Sequence, residues 1–254
     1  MVRADSEDLR DWADRADRGW PSHSFLAATP DPVLRDLLEA ARPVTFAPGK
    51  TLMNEGDKAE EVFFLLSSCV KVTAALANGG RALLAIRVGG DVVGEIAATD
   101  GGPRLATVRV CGREPVQAAA VDLDSFTQLT SQHPQLLLQL AQTLGRRLRT
   151  ATQRHIDFSG CKAVVCLARI LVELADDYGQ PLPNKGVIIG IDLTRIELGT
   201  MVGYTETTAQ RALRQLRDKG IIDTRSRRPL VRDMRALRQL AYPGGVPRQR
   251  SGED

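Results

Sequence analysis

The spacing of apolar positions changes twice along the chain, from helical to strand-like and back to helical. In "TPDPVLRDLLEAA", Val33, Leu34, Leu37 and Leu38 form one apolar stripe of a short helix, with Asp31 placed to cap it and Pro32 suited to its first position. From Pro43 to Leu123 the apolar runs are short: "EVFFLL", "CVKVTAAL", "RALLAIRV", "ATVRV" and "PVQAAAVDL", separated by Gly, Pro, Asn or Asp. Eight or so strands at this spacing predict a closed or sandwiched antiparallel β structure, with a hairpin turn at "ANGGR". Beyond Pro134 the helical period returns. Leu137, Ala141, Leu144, Leu148, Ala151, His155 and Phe158 recur in steps of four and three, the heptad seam by which one helix pairs with another. The expected partner is a second copy of the chain, through residues 137–158, with an intramolecular core helix as the competing reading. Leu136 and Leu140 lie to the side of the seam, where they can pack back on the β domain.

The last third is helical with a short β insertion. "CKAVVCLARILVELADDYG" is an amphipathic helix, and Tyr178 to Gly186 reads as a loop. Thr194 and Glu197 stand in capping-box spacing, a turn follows at Gly203 and Tyr204, and Thr205 and Gly220 bracket a second helix. Helix, glycine-containing turn and helix make a helix-turn-helix. "IIDTRSRRPLVRD" adds two short strands about a basic turn, a wing. The expected fold is α+β: a charged N-terminal arm (1–22), an antiparallel β-roll domain (23–133), a dimerisation helix (134–158), a winged helix-turn-helix (159–241) and a flexible tail (242–254). The arm is expected to be mobile or lightly docked.

Composition narrows the class of function. At 254 residues, 43% hydrophobic and 26% charged, the chain is long enough for two globular domains. Apolar runs fall short of the roughly 20 residues that span a bilayer, and the N-terminus is too charged for a signal peptide, so a cytoplasmic location without membrane contact is expected. The net charge is only +3. Arg211, Arg214, Arg217, Lys219, Arg225, Arg227, Arg228, Arg232, Arg235 and Arg238 face only Glu206, Asp218, Asp223 and Asp233 in the same segment, so positive charge is concentrated where phosphate would be met. Along the second helix, Ala209, Ala212, Leu213 and Leu216 suit an inward face. Glu206, Thr207, Gln210, Arg211 and Arg214 then face outward, with donors and acceptors suited to base edges of double-stranded DNA. Thr194, Arg195, Thr205 and Thr208 are placed to hold phosphates.

Catalytic and metal chemistry find little support. Ser-His-Asp, Cys-His and paired-carboxylate groupings do not stand out, so an enzyme is not expected. Cys69, Cys111, Cys161 and Cys166 are scattered and form no C-x-x-C pair, and buried thiols are the expectation. Cys161 and Cys166 point roughly 140° apart around a helix, which argues against chelation.

The stretch "GGDVVGEIAATDGGPRLATV" carries Glu95 and Arg104 across a glycine-rich middle. A glycine lets backbone approach a ligand closely, a helix N-terminus favours an anion, and a guanidinium grips phosphate oxygens with two parallel bonds. Together with "FAPGKTLMNEGDKAEEVFFLLSSCVKV" and "LTRIELGTMVGYTETTAQRALRQLRDKGII", it resembles the bacterial cyclic-AMP receptor/fumarate-nitrate regulator (CRP/FNR) family of transcription factors. The likeness covers residues from about 24 to 241. It implies a phosphate-binding cassette with Gly94, Glu95 and Ile96 at ribose and phosphate, Arg104 and the Leu105 amide at phosphate, and Thr152 at the base. Cyclic AMP or another cyclic nucleotide would then be the effector, with no cofactor required. It also implies a homodimer on a palindromic operator and a contact with RNA polymerase.

Departures from the pattern are specific. Leu105 stands where bacterial cyclic-AMP receptors place Ser or Thr, so that "GGPRLAT" is more similar to the eukaryotic kinase-regulatory type. Ala151 replaces half of the Thr-Ser pair on the dimer helix, and Ser68 replaces a usual turn glycine. Glu206-Thr207 replaces the common Arg-Glu of the recognition helix. Residues 1–40 hold no cysteine for an iron–sulfur cluster, and no Cys or His lies near Asn78 to Arg81 for haem. Two readings stay open: a regulator switched by a cyclic nucleotide, and a ligand-independent or architectural DNA binder that keeps the cassette as scaffold.

Overall fold

The computed structural model describes residues 9–15, 17–183, 186–224 and 226–244. It divides into two compact units, Met1–Leu148 and Arg149–Asp254. Arg225 and the tail beyond Gly244 lie outside the described residues.

The first unit runs α1 (Leu9–Asp14), α2 (Asp31–Glu39), β1 (Arg42–Phe46), β2 (Thr51–Met53), β3 (Glu61–Leu65), β4 (Cys69–Ala75), β5 (Arg81–Val88), β6 (Val92–Val93), α3 (Glu95–Asp100), β7 (Thr107–Val110), β8 (Val116–Asp122), α4 (Leu123–Gln132) and the first part of α5 (Pro134–Gly160). Among the described residues its strands form two antiparallel four-stranded sheets, ordered β1-β8-β3-β6 and β2-β7-β4-β5. Strand β3 explains why its sequence is an unbroken apolar run rather than an alternation. Val62 and Phe64 point into a cluster with α2, α4 and α5, while Phe63 and Leu65 point into a second cluster shared with Met53, Val70 and Val108. A strand with both faces covered needs apolar residues at every position.

Helix α5 enters the first cluster through Leu136 and Leu140, 2% and 3% exposed. Between them the Gln139 amide donates to the carbonyl of Phe25 and, at 2.9 Å, to the Thr29 hydroxyl. The seam positions divide: Leu137, Leu148 and Phe158 are 48%, 68% and 42% exposed, whereas Leu144 is half-buried and packs against the same cluster.

The N-terminal arm is docked more firmly than its charge suggests. Helix α1 buries Leu9, Trp12 and Ala13, and the Trp12 and Trp20 rings stack in parallel with centroids 6.0 Å apart. Trp20 donates through Nε1 to the Leu66 carbonyl at 2.8 Å, and the Arg15 guanidinium lies 4.0 Å over the Trp12 ring. The two tryptophans, with Leu9 and Ala13, supply enough apolar and aromatic contact to hold a segment rich in charged residues. Asp31 does not cap α2 as its position suggested. Pro30 precedes the helix, and Asp31 is its first residue, paired with Arg18 at 3.0 Å. Ser68, where a glycine was expected, adopts φ 59° and hydrogen-bonds the Glu114 carbonyl at 3.0 Å.

The second unit holds the rest of α5, α6 (Ala163–Tyr178), β9 (Gly179–Leu182), β10 (Gly186–Ile189), α7 (Arg195–Thr200), α8 (Glu206–Asp218), β11 (Ile222–Asp223), β12 (Leu230–Val231) and α9 (Met234–Ala241). Its sheet is ordered β11-β12-β10-β9, and α6 buries Cys166, Leu167, Ile170, Leu171 and Leu174. The segment expected as a loop after Tyr178 is instead the edge strand β9, paired with β10 from Gly179↔Ile189 to Leu182↔Gly186. Pro181 disguised it, because proline in a strand is tolerated only at such an edge.

Removing the arm's anchor tests its docking. Trp12→Ala is expected to lower the unfolding free energy by about 3 kcal/mol, read from denaturant unfolding followed by Trp20 fluorescence.

Candidate functional site

The glycine-rich stretch leaves β6 at Gly94, turns in the left-handed region at φ 86°, and enters α3 at Glu95. Arg104 returns from the far side of the loop and is only 5% exposed. Its Nη1 donates to the Gly94 carbonyl at 3.0 Å and its Nη2 to the Glu61 carbonyl at 2.6 Å. The backbone of Arg104 is held as well, donating to Asp57 O at 2.8 Å and accepting from the Gly56 N–H at 2.8 Å. Burial lowers the guanidinium pKa below its ordinary value, opposed by the carboxylates of Glu61, Glu95, Asp57 and Glu60. The group stays charged, since arginine does not deprotonate in proteins. Gly94 is required twice over: for its positive φ, and because a Cβ there would lie 2.5 Å from Arg104 Nη1.

Glu95, 4% exposed, is engaged from outside the loop. Its carboxylate accepts from Arg147 Nη1 of α5, while Arg147 Nη2 donates to Val92 O at 2.9 Å and lies 3.9 Å from Asp91. Arg147 lies 52 residues from Glu95 and outside the cassette motif, so the motif alone does not point to it. A signal for it was present: Leu136, Leu140, Thr143 and Arg147 follow 4-3-4 spacing, a second stripe beside the heptad seam, and Thr143 is buried like the leucines. Thus the two charges of the cassette come close in space but are satisfied by different partners. Ile96 and Leu105 are exposed, 36% and 63%. Thr152 is an exposed residue of α5 in the second unit.

In the second unit, the helix-turn-helix forms as its caps dictate. Thr194 and Glu197 complete a capping box, with bonds of 3.1 and 2.8 Å, and the Thr205 hydroxyl accepts from the Thr208 N–H at 3.4 Å. A Cβ on Gly199 would lie 2.8 Å from that of Ala209, so glycine sets the close approach of α7 to α8. In the turn, Tyr204 packs on Phe158 with ring centroids 5.0 Å apart and donates its hydroxyl to Cys161 O at 3.3 Å. Burial pushes its pKa up to about 12, so the hydroxyl keeps its proton at neutral pH.

Helix α8 sorts its faces as the pattern required. Ala209, Ala212, Leu213 and Leu216 are buried, while Glu206, Thr207, Gln210, Arg211 and Arg214 are exposed; so are Thr194, Arg195 and Thr205, with Thr208 half-buried. The basic surface is smaller than the local count of arginines suggested. Arg228 pairs with Asp192 at 3.0 Å, Arg232 with Asp223 at 2.8 Å and Arg238 with Asp176 at 2.5 Å. Asp176 and Asp192 come from earlier in the chain, and only folding brings them into the balance. The thiols also differ from expectation: Cys166 alone is buried, Cys69, Cys111 and Cys161 are half-exposed, and Cys69 and Cys111 are neighbours.

Comparison with known proteins agrees with both ends. Residues 43–133 match the cyclic nucleotide-binding domain and residues 167–240 the Crp-like helix-turn-helix domain, so the chain joins a nucleotide-binding type of roll to a DNA-binding type of module. The CRP-like cAMP-activated global transcriptional regulator of Mycobacterium tuberculosis is 27% identical over 205 residues, covering 81% of this chain and 90% of that protein. The cAMP-activated global transcriptional regulator CRP of Pasteurella multocida is 27% identical over 201 residues, covering 79% and 95%. Among solved structures, the c-di-GMP responsive global regulator CLP of Xanthomonas campestris superposes with a TM-score of 0.69 at 19% identity, covering 80% of this chain and 99% of that one. The chain belongs to the CRP/FNR family of transcription regulators. Among the described residues no helix is long and apolar enough to cross a membrane, and no group of three or more His, Cys, Asp or Glu is placed to hold a metal ion.

The buried ion pair makes its own prediction. Arg147→Ala strands the Glu95 carboxylate without its cation and should cost about 3 kcal/mol of stability, whereas Arg149→Ala at an exposed position should stay within about 0.5 kcal/mol. Denaturant unfolding of both variants decides.

Proposed function

We propose that the protein is a homodimeric, sequence-specific DNA-binding regulator whose β-roll binds a cyclic nucleotide and whose α8 reads the operator. The observation that carries the DNA half is the sorting of α8: its apolar residues are buried against the unit while Glu206, Thr207, Gln210, Arg211 and Arg214 stand clear of it. Arg211 and Arg214 suit guanine, Gln210 suits adenine and Glu206 suits cytosine N4. Thr194, Arg195, Thr205 and Thr208 cluster at the N-termini of the two helices, where phosphates are held. Dimerisation is supported by the exposed seam at Leu137 and Leu148, with Ile156 beside it at 56% exposure. A two-fold dimer would engage a palindrome whose half-sites are about one DNA turn apart. The contact with RNA polymerase rests on family resemblance alone.

Cyclic AMP is the effector favoured by the cAMP-activated relatives. Its ribose hydroxyl would donate to Glu95 and its phosphate would accept from Arg104 and the backbone amides of Ile96 and Leu105. Thr152 is assigned to the base by resemblance alone. Binding would redistribute the bonds that now join Glu95 to Arg147 and so shift the population of α5 conformations. The boundaries 1–22, 23–133, 134–158, 159–241 and 242–254 are the corresponding functional segments.

A second reading has its own support. Arg104 is bonded to two carbonyls and Glu95 to Arg147, so both cassette charges are already satisfied within the chain. The roll would then be a scaffold and DNA binding independent of ligand.

Titration calorimetry with cyclic AMP, cyclic GMP and cyclic di-GMP separates the two readings: saturable heat lost in Arg104→Ala supports the switch, and no heat from any of them supports the scaffold. Operator affinity of Arg211→Ala, measured on a footprinted palindrome, should fall by about 1–3 kcal/mol, with binding to unrelated DNA little changed. An unchanged operator affinity would remove Arg211 from the reading set.

A further inference from the structure

The strand β4 begins at Cys69 and the strand β7 ends just before Cys111. The ladder between them pairs Thr73↔Thr107, Val72↔Val108, Lys71↔Arg109 and Val70↔Val110, and the next step sets Cys69 opposite Cys111. That step is real: Cys111 N–H donates to Cys69 O at 3.0 Å, and the two Sγ atoms are 3.2 Å apart. Directly opposed antiparallel residues have Cα atoms about 5.5 Å apart or less, inside the span of about 4.4–6.8 Å that a disulfide requires. Closing the bond needs the sulfurs to approach by only about 1 Å. Both thiols are half-exposed, so a small oxidant can reach them, whereas Cys166 is buried with its thiol directed at Asp157 O at 3.3 Å.

We propose that Cys69 and Cys111 form a redox-modification site, a dithiol that peroxide converts to an intrachain disulfide and that cellular thiols reduce again. One thiolate attacks a peroxide oxygen, breaking the O–O bond and giving a sulfenic acid and hydroxide. The second thiolate attacks that sulfur, expelling its hydroxyl as water once protonated. In total two thiols and one hydrogen peroxide give one disulfide and two waters, the two sulfurs supplying two electrons. Return to the dithiol uses two equivalents of a low-molecular-weight thiol, which is oxidised to its own disulfide.

The two cysteines are 42 positions apart, and the segment they enclose contains β5, β6, α3, the Gly94–Leu105 cassette and β7. The disulfide therefore staples the base of the loop that carries Glu95 and Arg104. A cross-link over so long a segment stabilises chiefly by restricting the unfolded chain. The dithiol is in place whether or not the cassette binds a nucleotide.

The test uses the purified full-length chain, reduced and then exposed to hydrogen peroxide. The expected product is a chain with no covalent cross-link to another, lighter by two hydrogens, with the Cys69 and Cys111 peptides joined in a non-reducing digest and released by dithiothreitol. Oxidation should raise the melting temperature by several degrees. That shift should vanish in Cys111→Ser, or in Cys69→Ala if the first variant does not fold. Joining of either cysteine to Cys161 or Cys166, a cross-link between chains, sulfinic acid without a cross-link, or no reaction where free glutathione is consumed would each overturn the site. An unchanged melting temperature in the joined wild-type chain would overturn the staple.

Discussion

The carboxylate of Glu95 is nearly closed off from water, and a buried charge must be answered by another charge and by hydrogen bonds. Arg147 supplies both, and much of the first unit follows from that demand. Its guanidinium also ties down the carbonyl of Val92, the strand residue that leads into the cassette, so α5 is bound to the turn it covers. Gly94 then has to be glycine, because Arg104 fills the volume that any Cβ would take. Arg104 in turn spends its donors on Gly94 and Glu61 carbonyls, drawing the two ends of the loop together. Two opposite charges are buried in one small region, each with its own set of bonds. Such a region is stable only while both sets are complete, which is the property a ligand with a phosphate and a hydroxyl would exploit.

Helix α5 meets two requirements at once. Leu136, Leu140, Thr143 and Arg147 face the roll, and Leu137 and Leu148 are left in solvent. The stripes run side by side because a helix returns to the same face after three or four residues, so neighbouring positions can serve different surfaces. A charged residue at the end of an otherwise uncharged buried stripe, here Arg147, marks where the helix passes from packing to charge pairing. In the second unit the same economy holds on α8, whose alanines and leucines fix it against α7 and α6 while its long polar side chains stay at the surface, with Gln210 bonded to Glu206 at 3.0 Å and Arg214 3.7 Å from Asp218.

Most elements were legible in the sequence because their causes are local. The strands between Pro43 and Leu123, the capping box at Thr194, the cap at Thr205 and the inward face of α8 each depend on residues within a few positions of one another. Strand β9 was misread because Pro181 signals a loop until a neighbouring strand makes it an edge. The docking of Trp12 was underestimated because its stacking partner Trp20 and the Leu66 carbonyl are effective only once the chain has turned back. The basic cluster was overestimated for the same reason, since Asp176 and Asp192 are distant in sequence from the arginines they neutralise.

The sequence by itself determined the order of the modules, the faces of their helices and the residue types of the cassette, Gly94, Glu95 and Arg104, because each follows from short-range periodicity, capping or a compact motif. Tertiary structure decided who bonds to whom: Arg147 rather than Arg104 on Glu95, carbonyls on Arg104, Cys69 beside Cys111, and acidic partners for three of the wing-side arginines. These are contacts between side chains tens of residues apart. Their energies depend on distance and burial in the folded chain, quantities that spacing along the sequence does not contain.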